Sequence, residues 1–249
     1  MGKDINGEWI KVSDIIDVLT PKNLTTSTNE AKTYTYYNNS IVIINDKAKM
    51  GDALEWQEIS NRIPNYTFPL IHLILNRQYC VGYITPKIEG LIGCEWFNKL
   101  KKLEDRKIIA NAFVDFYLNI KSKNLAYTNW NIEDLIITTS KKIKLINPQF
   151  FVDIQQYPEY DNVYVDYNFC VLIFSVLYGL DFTIIHSEEI PDLNIPEAIK
   201  DILSKKKNEK ITIEEIQKTI RLTQKEFVYQ PQIQELIRKF PISTNTSNN

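Results

Sequence analysis

The stretch from Ile120 to Phe151, IKSKNLAYTNWNIEDLIITTSKKIKLINPQFF, holds the side chains best suited to chemistry: Asn129, Asn131, Glu133, Asp134 and Asn147 at close spacing. A carboxylate can take a proton from a hydroxyl or ligate a hard dication. An amide offers a metal only its carbonyl oxygen and has no basic site. Asn129 therefore cannot act as a general base at any ordinary pH. Asp134 and Asn147 supply one carboxylate and one amide, a set that could hold a single divalent ion. Glu133 adds a second carboxylate, but as the neighbour of Asp134 its side chain points away from it.

Hydrophobic periodicity indicates the elements that must position this stretch. From Glu104 to Ser122, Ile108, Ile109, Phe113, Phe116, Tyr117 and Ile120 recur largely at spacings of three and four, the pattern of an amphipathic helix leading into it. Asp52 to Ile63 repeats the pattern with Trp56, Ile59 and Ile63 on one stripe and Leu54 off it. Tyr34 to Asn45 predicts a hairpin with its turn at Asn38-Asn39. Tyr164 to Gly179, YVDYNFCVLIFSVLYG, is almost continuously apolar, as in a helix buried all round. Leu24 to Ala31, LTTSTNEA, contains no glycine and reads as a polar surface loop. Tyr157, Tyr160, Tyr164 and Tyr167 crowd one region, where core and interface packing is the expectation.

Composition narrows the class. With 249 residues, 44% hydrophobic and 24% charged, the chain is long enough for one large domain or two lobes. A net charge of -2 gives no basic footprint for nucleic acid, and runs such as Lys205-Lys206-Lys207 read as solvated helix ends. Cys80, Cys94 and Cys170 are odd in number and lack CxxC spacing, which points to buried or free thiols in a reducing compartment. No apolar leader core or membrane-span-length apolar run is present, so residence in the cytoplasm is the expectation.

Taken in order, these segments resemble a protein kinase. The family reads H-R-D-L-x-x-x-N, then a short strand pair, then D-F-G. Here Tyr127-Thr128-Asn129 stands for His-Arg-Asp, Asp134 for the Asn, and Asn147-Pro148-Gln149 for Asp-Phe-Gly. The hairpin falls where the V-A-I-K strand belongs, with Asn45 at the Lys and Ile43 at the small Ala beside the adenine. Asp52 to Ile63 falls at helix αC, with Glu55 or Glu58 at its ion-pairing Glu, and Tyr79 to Gly90 resembles the hinge. Tyr164 to Gly179 is similar to the buried αF helix, with Val165 at its Asp and Asp166 adjacent, and Ile195 to Ile220 to the closing helices, with Lys210 at the Arg. The resemblance implies an α+β, two-lobed protein kinase-like fold: a small β-rich N-lobe over residues 1–86, a larger helical C-lobe over 87–222, an added helix or strap over 223–241 and a disordered tail over 242–249.

It also implies what the chain lacks. In a kinase the catalytic-loop Asp accepts the substrate proton, and the DFG Asp and catalytic-loop Asn hold magnesium. Asn129, Asn147 and Asn45 replace the base, a metal ligand and the phosphate-gripping Lys, Asn131 replaces a further Lys, and the Gly-rich loop has no glycine. The segment between Asn147 and Val165 is short, which leaves little platform for a peptide substrate. The implied function is a catalytically inactive pseudokinase, without cofactor or metal, that binds a partner protein such as an active kinase or a kinase substrate. The alternative is an atypical nucleotide-binding phosphotransferase, because Asp134 and Asn147 exchange the family's Asn and Asp at the two metal positions and keep one carboxylate.

Overall fold

The computed structural model describes residues 9–27, 31–92, 99–100, 102–130, 135–161, 165–179, 190–192, 195–205 and 210–223. Among the described residues it is a mixed α+β chain with a six-stranded sheet and five helices. Two compact units divide it: Met1–Trp96 with Ala112–Asn162, and Phe97–Asn111 with Val163–Asn249. The chain between 86 and 87, where the resemblance puts the lobe boundary, lies inside the first unit. Among the described residues no helix is long and apolar enough to cross a membrane.

The first unit is built on strands β1 (Ile10–Lys11), β2 (Leu24–Ser27), β3 (Ala31–Tyr36), β4 (Asn39–Lys49), β5 (His72–Asn76) and β6 (Tyr79–Pro86), in the order β1-β5-β6-β4-β3-β2. The stretch from Leu24 is thus a strand and not a loop, as its β-branched threonines favour. The Thr25 and Thr35 hydroxyls meet across the β2–β3 pair at 3.0 Å. The β3–β4 hairpin forms, but its register pairs Tyr36 with Asn39. That moves the turn one residue back to Tyr37-Asn38, with Tyr37 in the left-handed region at φ 51°. A slip of one residue would turn every strand side chain to the other face. The observed register puts Val42 and Ile44 on one face and Ile41 and Ile43 on the other, each in an apolar cluster.

Helix α1 (Met50–Arg62) follows β4 and buries Ala53, Trp56, Gln57, Ile59 and Ser60, while Leu54 stays exposed as its place off the stripe requires. Ala53 and Trp56 share a cluster with Val42, Ile44, Leu73 and Tyr83 of the sheet. Burying aliphatic side chains of the size of Val42, Ile44 and Leu73 stabilises the fold by about 1.5–3 kcal/mol each. After β6 the chain turns at Gly90, whose φ is 146°. A Cβ there would lie 2.5 Å from Ile136 Cγ2 and 2.6 Å from the Ile137 carbonyl, so only glycine passes.

Helix α2 (Leu103–Ser122) gives its first half to the second unit and its second half to the first. Ile109, Phe113, Phe116, Tyr117 and Ile120 are buried as the periodicity predicts, whereas Ile108 is 48% exposed. The second unit centres on α3 (Tyr167–Tyr178), in which every residue from Phe169 to Leu177 is buried. Asp166 caps that helix by accepting from the Asn168 N–H at 2.6 Å, and Gly179 ends it at φ 64°. Arg106 of α2 donates to the Tyr178 carbonyl at 3.1 Å beside that glycine. The Tyr178 hydroxyl, pushed up to about 12 chiefly by burial, lies 3.3 Å from Thr223 Oγ1. Helices α4 (Glu197–Ser204) and α5 (Ile213–Leu222) complete the unit. Thr212 and Glu215 cap the N-terminus of α5 reciprocally, with the Thr212 N–H donating to the Glu215 carboxylate at 2.8 Å and the Glu215 N–H to Thr212 Oγ1 at 3.2 Å. Of the expected extension over 223–241 only Thr223 is among the described residues, and the rest of it and the tail over 242–249 lie outside them.

Candidate functional site

The Ile120–Phe151 stretch forms in the first unit. The α2 helix ends in a tight turn at Lys123-Asn124, where Asn124 has φ 57° and the Lys123 N–H still donates to the Ile120 carbonyl at 3.0 Å. The chain enters β8 (Leu125–Tyr127), crosses the loop of Asn129, and forms a hairpin from β9 (Leu135–Ile137) and β10 (Ile143–Leu145); β7 (Leu91–Ile92) pairs with β9 on its other side. It then passes Asn147 and a short 3-10 turn over Pro148–Phe150. Strand β11 (Phe151–Asp153) returns antiparallel to β8, pairing Phe151 with Tyr127 and Asp153 with Leu125. The Thr128 N–H and hydroxyl both donate to the Phe150 carbonyl, at 2.9 and 3.0 Å. Asn129 and Asn147 thus leave the same end of the β8–β11 pair.

Asn129 is half-buried and Asn147 is 1% exposed. Pro148 disfavours helical backbone at the residue before it, and Asn147 accordingly sits at φ -99° and ψ 89°. Its neighbour Ile146 accepts a hydrogen bond from the buried Tyr83 hydroxyl, which ties the segment to the sheet. Asn131 and Asp134 lie outside the described residues. Asn45 lies on β4 of the six-stranded sheet. It is exposed, follows the parity of Ile41 and Ile43, and lies in the stretch between Ile43 and Ala48 where the β4–β6 register breaks. Its neighbour Ile44, 5% exposed, is the residue that joins the cluster on the α1 face. Glu58 of α1 is exposed and Glu55 half-buried, and neither forms an ion pair among the described residues.

The loop is held by aromatic packing, a feature that residue types alone did not reveal. Trp130, 6% exposed, meets Tyr127 at 5.1 Å and Phe116 at 5.8 Å, both edge-on. Tyr127 also lies 4.9 Å from Phe151, and Phe116 lies 5.0 Å from Tyr66. Offset and edge-to-face pairs of this kind contribute about 0.5–1.5 kcal/mol each beyond their burial. Tyr66 is raised from its ordinary value by burial first and by the Asp115 charge second.

A charged contact completes the frame. Arg62, in the last turn of α1, donates to Asp153 Oδ2 at 2.7 Å and to the Lys123 carbonyl at 2.5 Å. The Gln155 N–H donates to Asp153 Oδ1 at 2.9 Å. The Arg62 hydrogen bond holds the Asp153 carboxyl below its usual range against the opposing effect of burial. Lys144 of β10 spans the gap to the α1–β5 connection, donating to the Thr67 carbonyl at 3.0 Å with its ammonium 4.8 Å from the Phe68 ring centre. Burial, and then Lys142, lower its pKa.

The tyrosine-rich segment divides. Tyr157 and Tyr160 are 43% and 41% exposed, Tyr167 donates to the Leu203 carbonyl at 2.7 Å inside the second unit, and Tyr164 lies outside the described residues. Cys80 and Cys170 are buried free thiols, raised chiefly by burial, and Cys94 lies outside the described residues.

Chemically, the described part of this site offers amides, hydroxyls and packed rings, and its one carboxylate on β11, Asp153, is taken by Arg62. Compared with protein-family models and with curated proteins, the chain matches none.

Proposed function

We propose that this chain is a protein kinase-like pseudokinase, two-lobed and cytoplasmic, that performs no phosphoryl transfer and works by binding another protein, an active kinase or a kinase substrate. One observation carries the reading. In the kinases it resembles, nucleotide lies between the V-A-I-K strand and the D-F-G segment. Here Val42 and Ile44 of that strand share one buried cluster with Trp56, Tyr83, Ile136 and Ile146, the last beside Asn147. A nucleotide in that place would have to displace close-packed core, which costs several kcal/mol for each large side chain moved.

The strand order supports the same reading. A strand, an amide-bearing loop, a short hairpin, a turn at Asn147 and a strand returning to the first follow the order that the motif resemblance implies. With Asn129 unable to accept a proton, what is left is a framed surface. A scaffold of this kind acts by occupancy or by shifting its partner's conformational balance.

The test is a thermal-shift titration of the full chain with millimolar ATP, with and without magnesium or manganese. A site filled at one hundred times its Kd would add about 2.7 kcal/mol, worth several degrees in a chain of this size. The expected result is no shift. A metal-dependent shift that disappears in Asp134→Ala would overturn the scaffold reading and establish the nucleotide-binding phosphotransferase with exchanged Asp and Asn instead.

A further inference from the structure

Strand β1 stands apart from the rest of its sheet. Ile10 and Lys11 pair parallel to Ile74 and Leu75, whereas every other pair in the six-stranded sheet is antiparallel. Successive strand residues point to opposite faces. Trp9 accordingly packs against the cluster on the α1 face and Ile10 against the cluster on the other. The chain then leaves the sheet in two 3-10 turns, Val12–Asp14 and Ile16–Val18. It lays Val12, Ile15, Val18 and Leu19 over Ile41, Ile74, Val81 and Ile84. Among the described residues, everything in that cluster outside the sheet belongs to this segment.

The attachment is thin for the surface it covers. Ile15, 3% exposed, is the segment's one fully buried side chain, and Ile16 beside it is 62% exposed. The backbone turn hydrogen bonds are internal, with the Ile15 N–H donating to the Val12 carbonyl, Val18 to Ile15 and Leu19 to Ile16, and one side chain from beyond the segment, the Asn23 amide, donates to the Val18 carbonyl at 2.9 Å. The side chains of Lys11, Asp14 and Asp17 face solvent. By contrast, the residues underneath are 8% exposed or less and belong to the long central strands β4, β5 and β6. Segments with few buried contacts and few long-range hydrogen bonds open first, well below the free energy of global unfolding.

We propose that residues 9–19 are a displaceable strap, and that the slot beneath it, the outer edge of β5 with the apolar face of Ile41, Ile74, Val81 and Ile84, is a docking site for an extended apolar segment of a partner protein. The strap is the template for the occupant: an aromatic residue, then apolar residues placed to alternate across the edge, as Trp9, Ile10 and Val12 do. Main-chain groups of β5 supply hydrogen bonds to any such strand, and the two apolar faces select its side chains. The identity of the occupant as a partner protein rests on the protein-binding reading above; the displaceable strap rests on packing alone.

Hydrogen exchange on the full chain tests the strap directly. The amides of Ile15, Val18 and Leu19 should exchange at least a hundredfold faster than those of Tyr83 and Ile84 in β6. Equal protection would overturn the proposal, because the segment would then open only with the whole sheet. Docking is tested with a fluorescent peptide of residues 9–19, titrated against the full chain and against Ile15→Asp, whose own strap is loosened. Binding at least tenfold tighter to the variant supports the slot, and binding to neither, or to both alike, removes it. If the variant does not fold, the exchange measurement on the native chain still decides. Failure here leaves the pseudokinase reading standing on its nucleotide titration, and ATP binding would sink that reading without changing the strap's exchange.

Discussion

The two faces of the six-stranded sheet are covered in opposite ways. On one face Val42, Ile44, Leu73 and Tyr83 meet α1 and the β9–β10 hairpin, and the cluster runs from Trp9 through Trp56 to Ile146. On the other, Ile41, Ile74, Val81 and Ile84 are just as buried, but beneath a strap of two 3-10 turns. What differs is how the cover is tied down: a helix anchored by an ion pair and a hydrogen-bonded hairpin on one side, side chains and two paired residues on the other. Equal burial does not mean equal permanence, since opening free energy depends on how many long-range bonds break together. The α1 face, which carries Ile146 beside Asn147, is the closed one.

The contrast can be broken most sharply at Trp56. Trp56→Ala should cost about 3–5 kcal/mol in urea-denaturation stability, as truncation of a large buried aromatic does. Next comes Asp153→Asn, which removes a charged acceptor from Arg62 and should cost about 1.5–3 kcal/mol at neutral pH. Because Arg62 depresses the Asp153 pKa in the folded state, that contribution is fully present above the ordinary carboxylate value near 4 and is lost as pH falls through the depressed folded value. Wild type and Asp153→Asn should therefore differ at pH 7 and converge in acid; a difference independent of pH would assign the loss to packing. Ile15→Ala should cost less than the roughly 2 kcal/mol at which isoleucine truncations usually begin, because the loss cannot exceed the free energy that docks the strap. A cost matching that of Trp56→Ala would erase the distinction between the faces. Thr212→Ala, in the second unit, is the smallest expected change, about 1 kcal/mol for a lost helix cap, with the acid dependence set by Asp153 unaltered.

Much of the framework was legible in residue order. The stripe of Trp56, Ile59 and Ile63, the spacing of Phe113, Phe116 and Ile120, and the unbroken apolar run at Phe169–Leu177 became buried helix faces because helical periodicity is a local property. Strands were read less well. The stretch at Leu24 looked like a loop because a polar edge strand has no apolar alternation to show, and the hairpin turn fell one residue earlier than Asn38-Asn39 because pairing with β6 also constrains the register. Nothing in WIKVSDIIDVL announces a strap, since its residues acquire meaning only beside Ile41 and Ile84. Trp130 escaped notice for the same reason: a lone tryptophan beside a candidate loop becomes an anchor only when Phe116 and Tyr127 close on it.

The amino-acid sequence by itself determined which chemistry Asn129 cannot do. Asn129 has no basic site whatever surrounds it, and no fold can give an amide the charge of a carboxylate. It determined the helices too, because a repeat of three and four residues carries its own geometry. Only the tertiary structure decided that Ile44 and not Asn45 looks at α1, that Arg62 meets Asp153 across the intervening chain, and that one sheet face is sealed while the other lies under a strap. These are pairings between distant segments, set by register and packing between elements, and periodicity within one element carries no record of them.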